Sequence, residues 1–261
     1  MFKMFDREDT AGAVSNAVRM PKHGKRMILE NVIEHRAATP VSACEVAVQG
    51  SMKGDDRDTG MITSATLAVD STATRFANAA CYYRIAGTNY SVAADSAGNT
   101  FSAAHVIGDG ASALWGVVNV YINAAGAFST RVPVATQIYA TAELALAAAE
   151  AMVTPSSLCY VGHILIQSDT STWTANTDDM TDGSDLTTAD FRSATSSFIT
   201  FQDGSGGDIT DQMTATELTN GRSLVNIPVS DTMMGAKWVR LYLKTLTGTG
   251  YLTSRLKIIG D

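Results

Sequence analysis

Short segments in which apolar and polar residues alternate, separated by turn residues, recur along most of the chain. Residues 81–86 are followed by Gly87-Thr-Asn and by a second such segment beginning at Tyr90, which is typical of a β-hairpin. Residues 114–122 are rich in β-branched and aromatic side chains. Because a two-residue period fits a pleated strand and not a helix, the sequence predicts a mainly β fold with a β-sandwich-like body.

Two segments depart from this period. Residues 141–152 are almost entirely Ala, Leu and Glu and are followed by Pro155, which predicts one Ala-rich helix. Residues 26–36 place Ile28, Leu29, Val32 and Ile33 at helical spacing, which predicts a short amphipathic helix in an N-terminal arm.

Charge is distributed unevenly and indicates the domain boundaries. Residues 1–60 hold nine Lys or Arg and nine Asp or Glu, whereas residues 61–236 hold five Arg, no Lys and sixteen acids. The last 25 residues hold five basic side chains and one acid. We therefore expect an arm over 1–58, a central β-rich domain over 59–197, and a strand-rich C-terminal part over 198–261.

Two groups of residues are predicted to contact a partner. Lys22, Lys25 and Arg26 form a basic cluster that could bind an acidic surface, or could simply be the solvated start of the arm helix. In residues 237–244, the aliphatic side chains alternate with a cationic and aromatic face that we expect to meet solvent or a partner. That face carries Trp238, Arg240 and Tyr242, followed by Lys244.

Overall composition excludes several classes of function. The net charge of −7 argues against nucleic acid as the main ligand, because phosphate binding needs a basic surface. No apolar run is long enough to span a membrane, and the first nine residues lack the pattern of a signal peptide. Three widely spaced cysteines, Cys44, Cys81 and Cys159, indicate buried thiols in a reducing compartment, here the cytoplasm in which the chain is made.

A search for chemical motifs predicts no catalytic, cofactor-binding or metal-binding residue, and hence a protein that is not an enzyme. His163 lies within an apolar strand and is interpreted as a core histidine with a backbone partner. The acidic loop over 169–190 fails the EF-hand pattern, although a nonstandard calcium site stays open there. Packing is the expected role of Trp115, Trp173 and Trp238, with sugar stacking as the alternative.

The central region carries a family resemblance in its order of strands and turns. The segments Tyr83-Arg-Ile-Ala-Gly-Thr-Asn-Tyr90, Phe101-Ser-Ala-Ala, Trp115-Gly-Val-Val, Ile122-Asn-Ala-Ala-Gly126, Tyr160-Val-Gly-His-Ile-Leu-Ile and Trp173-Thr-Ala-Asn-Thr resemble accessory virion proteins encoded among tailed-phage head and tail genes. The resemblance covers about residues 60–190 and includes no chemical motif. Where that family usually has Ile-Asn-Gly and Pro-Ile-Gly-Tyr-Ile, this chain has Ile85-Ala-Gly87 and Tyr160-Val-Gly-His163.

The resemblance implies a non-enzymatic structural protein of the virion. The expected partners are the major capsid protein or other virion proteins, together with further copies of the chain in a homotrimer. The arm would attach this decoration protein to the phage head, and the small Thr-, Ser- and Ala-rich strands would pack with little loss of rotamer entropy. The alternative is a tail or fibre component that binds a host-surface glycan, and a calcium-dependent or hydrolytic domain built on 169–190 ranks third.

Overall fold

The computed structural model describes most of the chain, namely residues 1–9, 11–20, 24–36, 40–51, 58–95, 97–181, 183–202, 205, 207–228 and 236–260. The described residues form a mainly β protein with two helices, which confirms the predicted fold class. The chain divides into two compact units. We call them the terminal unit, Met1–Asp58 with Ser197–Asp261, and the central unit, Thr59–Ser196.

The terminal unit is made of strands from both ends of the chain. Its elements are β1 (Phe2–Glu8), β2 (Val18–Arg19), β3 (Gly24–His35), β4 (Ala43–Ser51), β17 (Ile199–Thr200), β18 (Thr210–Gln212), α2 (Ala215–Asn220), β19 (Arg222–Pro228), β20 (Trp238–Thr247) and β21 (Gly250–Gly260). One sheet has the order β1-β21-β3-β19, and the other has the order β17-β4-β20-β2, with β18 also pairing with β4. Buried side chains from both sheets share one apolar core, so this unit is a β-sandwich.

The N-terminal arm predicted over 1–58 is not a separate domain. Strand β3 pairs with β19 and β21, and β4 pairs with β20, so each sheet joins the N-terminal segment to the C-terminal segment. The predicted arm and the predicted C-terminal part therefore fold as one unit. Neither segment could bury its apolar strand face without the other.

The helix predicted over 26–36 is wrong, because this segment is strand β3. Met27, Leu29 and Ile33 alternate toward the core and are buried. Ile28 and Val32 lie on the opposite face and are only half-buried. Strand β3 thus carries apolar side chains on both faces, and that pattern is easily mistaken for a helical stripe.

A buried polar network ties the two segments of the terminal unit together. Asn31 Nδ2 donates a hydrogen bond of 2.6 Å to Asp211 Oδ2, and the Ser223 hydroxyl donates to the same carboxylate. The Ser254 hydroxyl donates to Asn31 Oδ1. All four side chains are buried, so each polar group depends on partners in other strands, including strands of the opposite sheet.

The central unit contains a four-stranded sheet, several smaller sheets and one helix. Its elements are β5 (Gly60–Met61), β6 (Ala68–Val69), β7 (Phe76–Ala77), β8 (Cys81–Ile85), β9 (Thr88–Val92), β10 (Val106–Ile107), β11 (Trp115–Asn123), β12 (Phe128–Arg131), β13 (Thr136–Gln137), α1 (Ala142–Glu150), β14 (Leu158–Ser168), β15 (Trp173–Thr174) and β16 (Leu186–Ser193). The main sheet has the order β12-β11-β14-β16. The predicted hairpin is β8 and β9, which pair in antiparallel fashion.

Both faces of the main sheet are covered in its middle. One face, which includes Val118, Val120 and Ile164, contributes to the principal core of the unit. On the other face, Ala145 and Ala149 of α1 pack against Val117 and Leu165. The predicted Ala-rich helix is confirmed, and its N-cap is Thr141, whose side chain accepts a hydrogen bond from the Leu144 backbone N–H.

Candidate functional site

A bulge in β14 determines which of its side chains face helix α1. In a regular strand, residues an even number of positions apart face the same side of the sheet. Here Cys159 and Val161 point into the principal core, and so do Ile164 and Ile166, so one extra residue must lie between the two pairs. The register of β14 with β11 shifts at this point, where Gly162 lies opposite Val120 and Tyr160 lies opposite Tyr121. The extra residue therefore places Tyr160 and His163, three positions apart, on the same face of the sheet.

Gly162 is required by the close approach of the next strand. A Cβ atom at this position would lie 2.2 Å from the carbonyl oxygen of Arg192 in β16. The backbone φ of Gly162 is also positive, at 151°. Only glycine fits here without displacing β16, so the bulge follows from the local sequence.

Four polar side chains meet on the face that the bulge creates. Asn119 lies directly opposite His163, and Tyr121 lies directly opposite Tyr160. The Tyr160 hydroxyl is 2.8 Å from His163 Nδ1. The rings of Tyr121 and Tyr160 are 5.7 Å apart at an interplanar angle of 63°, an edge-to-face contact.

The C-terminal end of α1 and the residues after it close this face into a cavity of about 270 Å³. The cavity is lined by the four polar side chains and by five residues from the helix end, namely Leu146, Ala149, Glu150, Met152 and Thr154. Glu150 and Thr154 are exposed, so the cavity opens to solvent beside them. Asn119 and Tyr121 are buried at 3% and 1% exposure and form its inner wall.

Two buried polar atoms of the cavity have no hydrogen-bond partner within the described part of the chain: Asn119 Oδ1 and His163 Nε2. The other polar atom of Asn119, Nδ2, makes long contacts, at 3.4 Å to the Ala149 carbonyl and 3.5 Å to the Tyr121 hydroxyl, and lies 3.6 Å from the Met152 sulfur. Leaving a buried donor or acceptor unpaired costs about 1–3 kcal/mol. Both residues line the cavity, and a ligand whose groups reach these two closed-off atoms would supply the partners that they lack.

Burial favours the neutral forms of His163 and Tyr160. Burial, reinforced by the charge of Arg192, lowers the pKa of His163 from its ordinary value of 6.5, against smaller opposing effects of Asp190 and Glu150. Burial raises the pKa of Tyr160 to about 12. A neutral imidazole beside a neutral phenol is a hydrogen-bonding pair.

The predicted basic cluster is described only in part. Lys22 lies outside the described residues, and Lys25 is described only in its backbone, at the start of β3. Arg26 is exposed and lies opposite Pro228 and Ile259 on the neighbouring strands. The predicted role of these three residues as a partner contact stays a prediction.

The predicted cationic and aromatic face of β20 is not an open surface at Arg240. The alternation itself is correct, because Val239, Leu241 and Leu243 are fully buried in the core. Arg240, however, is only 1% exposed: its Nε donates to Gln49 Oε1 at 2.9 Å, and its guanidinium lies 4.2 Å from the centre of the Phe198 ring. The expectation that this side chain meets solvent or a partner is therefore wrong, because the start of the C-terminal segment covers it.

The neighbours of Arg240 on this face are also partly covered. Trp238 and Tyr242 are half-buried. Lys244 pairs with Glu45 at 2.9 Å. A partner contact through Trp238 and Tyr242 stays a prediction.

Other candidates from the sequence fall outside the cavity. Trp173 is fully buried and packs edge-to-face on Phe101 at 5.7 Å, so it offers no surface for stacking on a sugar. All three cysteines are buried and free, and burial raises the pKa of Cys44 to about 12 and that of Cys81 to about 11. Within the ranges described above, no three His, Cys, Asp or Glu side chains are grouped so as to hold a metal ion; Asp182 of the acidic loop lies outside those ranges.

Sequence reasoning placed His163 in a strand but missed the site around it. The predicted backbone partner is wrong, since the ring bonds instead to the Tyr160 hydroxyl. The signal that could have revealed the site is Gly162, because a glycine inside a strand pattern indicates a bulge and hence a change of face. Asn119 gave a second signal, as a polar side chain within the apolar run of β11.

No protein-family model, no curated protein and no solved structure matches this chain. Within the part of the chain that the structure describes, neither helix is long and apolar enough to cross a membrane.

Proposed function

We propose that this chain is a non-enzymatic structural protein of a tailed-phage virion, present in many copies on the phage head. The resemblance over residues 60–190 supports the virion assignment. The observation that best supports assembly is the exposure of large apolar side chains on edge strands of the terminal unit. These are Phe2 of β1, Leu224 of β19 and Ile199 of β17, of which Ile199 is 69% exposed.

Each of these strands pairs on one side only among the described residues. An edge strand offers unpaired backbone N–H and C=O groups, and soluble monomers usually protect such edges with charges or cover them. An exposed apolar side chain on the edge instead favours pairing with another chain. Edge-to-edge contact between identical copies would bury both the backbone groups and the side chains.

The attachment surface is proposed to be the terminal unit as a whole. The sequence predicted a free arm over 1–58 as the attachment element. Strands β3 and β4 of that segment are instead inner strands, β3 in one sheet of the unit and β4 in the other. Removing residues 1–36 would therefore unfold the terminal unit along with abolishing attachment. The proposed partners are the major capsid protein and further copies of this chain, in a homotrimer.

The assembly proposal is tested by the mass of the purified protein in solution. Light scattering should give three times the chain mass of 27.5 kDa. Leu224→Lys, which places a charge on the β19 edge, should shift the protein toward monomer. The matched control is Leu144→Lys, an equally exposed leucine on α1 that should leave the mass unchanged. A monomer, or a trimer that is indifferent to Leu224→Lys, would contradict assembly through this edge.

The virion assignment needs a separate test in the organism that carries the gene. An antibody against the chain should detect it in tailed particles purified on a density gradient, at a high copy number per particle. Detection only in the particle-free fraction would contradict the assignment.

A second candidate function is favoured by a specific observation, the cavity between α1 and the main sheet. A tail or fibre component that binds a host-surface glycan would need a small polar pocket with unsatisfied hydrogen-bonding groups. Asn119 Oδ1 and His163 Nε2 supply such groups.

A further inference from the structure

We propose that the cavity beneath the end of α1 binds one neutral sugar ring or a similar polyol, with Asn119 and His163 as its hydrogen-bonding residues. The inference rests on the second candidate function, glycan binding, and is independent of the virion assignment. It names the site and the chemical class of the ligand.

The two unpartnered atoms define what the ligand must offer. Asn119 Oδ1 can only accept a hydrogen bond, so it needs a ligand donor. His163 Nε2 donates or accepts according to which tautomer the Tyr160 hydroxyl selects at Nδ1. A hydroxyl group both donates and accepts, so two neighbouring hydroxyls satisfy both atoms in either tautomer. Because Asn119 and His163 are directly opposite on adjacent strands, their side chains are close enough to bind one diol.

The charge of the cavity favours a neutral ligand. None of its nine lining residues is a lysine or arginine, and the lowered pKa of His163 keeps the imidazole uncharged. The one acidic side chain of the lining is Glu150, which lies exposed at the mouth. Arg192, whose charge acts on His163, is not part of the lining and is paired with Asp190 at 2.7 Å. An anionic sugar would therefore meet Glu150 with no cation in the lining to compensate, and it should bind more weakly than a neutral one.

Size and shape favour a single ring. Pockets for drug-sized ligands measure about 300–1,000 Å³, whereas this cavity measures about 270 Å³. Its walls combine the edge-to-face pair of Tyr121 and Tyr160 with the apolar side chains of Leu146 and Met152. This mixture suits a sugar ring, which has polar hydroxyls at its rim and apolar C–H groups on its faces.

The test observes the histidine rings directly, by long-range proton–nitrogen NMR on the full-length protein. The probes are glucose, galactose, N-acetylglucosamine and rhamnose, with glucuronate as the anionic comparison. At least one neutral sugar should shift the Nε2 resonance of His163 saturably and leave that of His105 unchanged. His105 is the matched control because it is also buried in the central unit and its pKa is also lowered by burial, but it lies outside the cavity. Glucuronate should bind at least about tenfold more weakly.

Variants separate a direct contact from a structural effect. His163→Phe should weaken binding of the same sugar at least about tenfold, the loss of one good hydrogen bond, whereas His105→Gln should not. Tyr160→Phe keeps the ring and removes only the hydroxyl that fixes the His163 tautomer. Tyr160→Phe should weaken sugar binding less than His163→Phe does, and it should change the pH at which His163 titrates. If His163→Phe does not fold, Tyr160→Phe still tests the proposal.

The proposal is overturned if no neutral sugar shifts His163 even at about 100 mM, well above the range of weak specific binding; the cavity would then hold only water. It is also overturned if the affinity is unchanged in both His163→Phe and Tyr160→Phe. The two proposals can fail separately. If no sugar binds, the detection of the chain in purified tailed particles still tests the virion assignment, and if the chain is absent from those particles, a measured sugar affinity still stands.

Discussion

The two units of the molecule differ in how some of their buried polar groups are paired. In the terminal unit, Asn31 and Asp211 are joined to each other and to serine hydroxyls, and Arg240 is bonded to Gln49. In the central unit, the described buried side-chain atoms without a partner include Asn119 Oδ1, Ser129 Oγ, His163 Nε2 and Trp173 Nε1.

This difference separates a structural role from a binding role. A buried polar network in which every member is paired stabilises one arrangement of the strands, and removing any member leaves the others unpaired. An unpaired polar atom costs free energy and contributes nothing to the fold on its own. In the central unit, two such atoms line one cavity, which is why we assign a ligand to it and assign none to the terminal unit.

The largest expected effect is the loss of Arg240, which tests whether this residue is structural. Arg240→Ala removes a fully buried side chain from the Phe198 ring and leaves Gln49 without its partner. We expect the free energy of unfolding of the terminal unit to fall by about 3–5 kcal/mol, measured by urea denaturation. Arg26→Ala is the control, because Arg26 is exposed and belongs to the same predicted set of contact residues. Equal behaviour of the two variants would contradict the structural assignment of Arg240.

A smaller effect is expected from disrupting the bulge in the central unit. Gly162→Ala places a Cβ against the carbonyl oxygen of Arg192 and should destabilise the central unit by about 2–3 kcal/mol. Gly183→Ala, in the same unit, has no atom within 4 Å of the added Cβ and serves as the control. The NMR signal of His163 should change in the first variant and not in the second. An unperturbed His163 in Gly162→Ala would show that the bulge does not position the site.

The smallest effect is a loss of stability of the central unit at mildly acid pH. Burial lowers the pKa of His105 and of His163 from 6.5 in the folded state, so the unfolded chain binds more protons as the pH falls below that value. The free energy of unfolding should therefore be largest above about pH 6.5 and decline below it, until the lowered pKa values are passed. Trp238→Phe leaves only the central-unit tryptophans as the fluorescence probe. In the double variant His105→Gln/His163→Gln, the loss of unfolding free energy at acid pH should be smaller. A loss of the same size as in the parent protein would show that other groups cause it.

The sequence predicted the central unit better than the terminal unit, for a physical reason. In the central unit the β8–β9 hairpin and α1 are local structures, whose turns and cap residues are adjacent in sequence. In the terminal unit, β3 and β4 pair with strands about 200 residues later, so no local pattern indicates their partners. Residues 26–36 were mistaken for a helix because Ile28 and Val32 make the outer face of this strand apolar as well, and the distant strands that pair with both of its edges are not visible locally.

One missed element did have a local signal. Helix α2 begins with a capping box, in which the Thr214 side chain accepts from the Glu217 backbone and the Glu217 side chain accepts from Thr214, and it ends at Gly221 in the left-handed conformation. Threonine followed three residues later by glutamate is readable from the sequence. The burial of Arg240, in contrast, depends on where Phe198 comes to lie, which no local pattern specifies.

The most direct test of this account compares the two buried asparagines, one in each unit. Asn31 and Asn119 are 0% and 3% exposed, and Asn→Leu replaces each with an apolar side chain of similar size. Asn31→Leu removes one of the two side-chain hydrogen bonds to the buried Asp211 carboxylate and leaves the Ser254 hydroxyl without its acceptor, so it should lower the free energy of unfolding by about 3 kcal/mol or more. Asn119→Leu removes an acceptor that is already unpaired and should change stability by less than about 1 kcal/mol, while abolishing sugar binding. Equal losses of stability in the two variants would contradict the account, because Asn119 would then be a structural residue like Asn31.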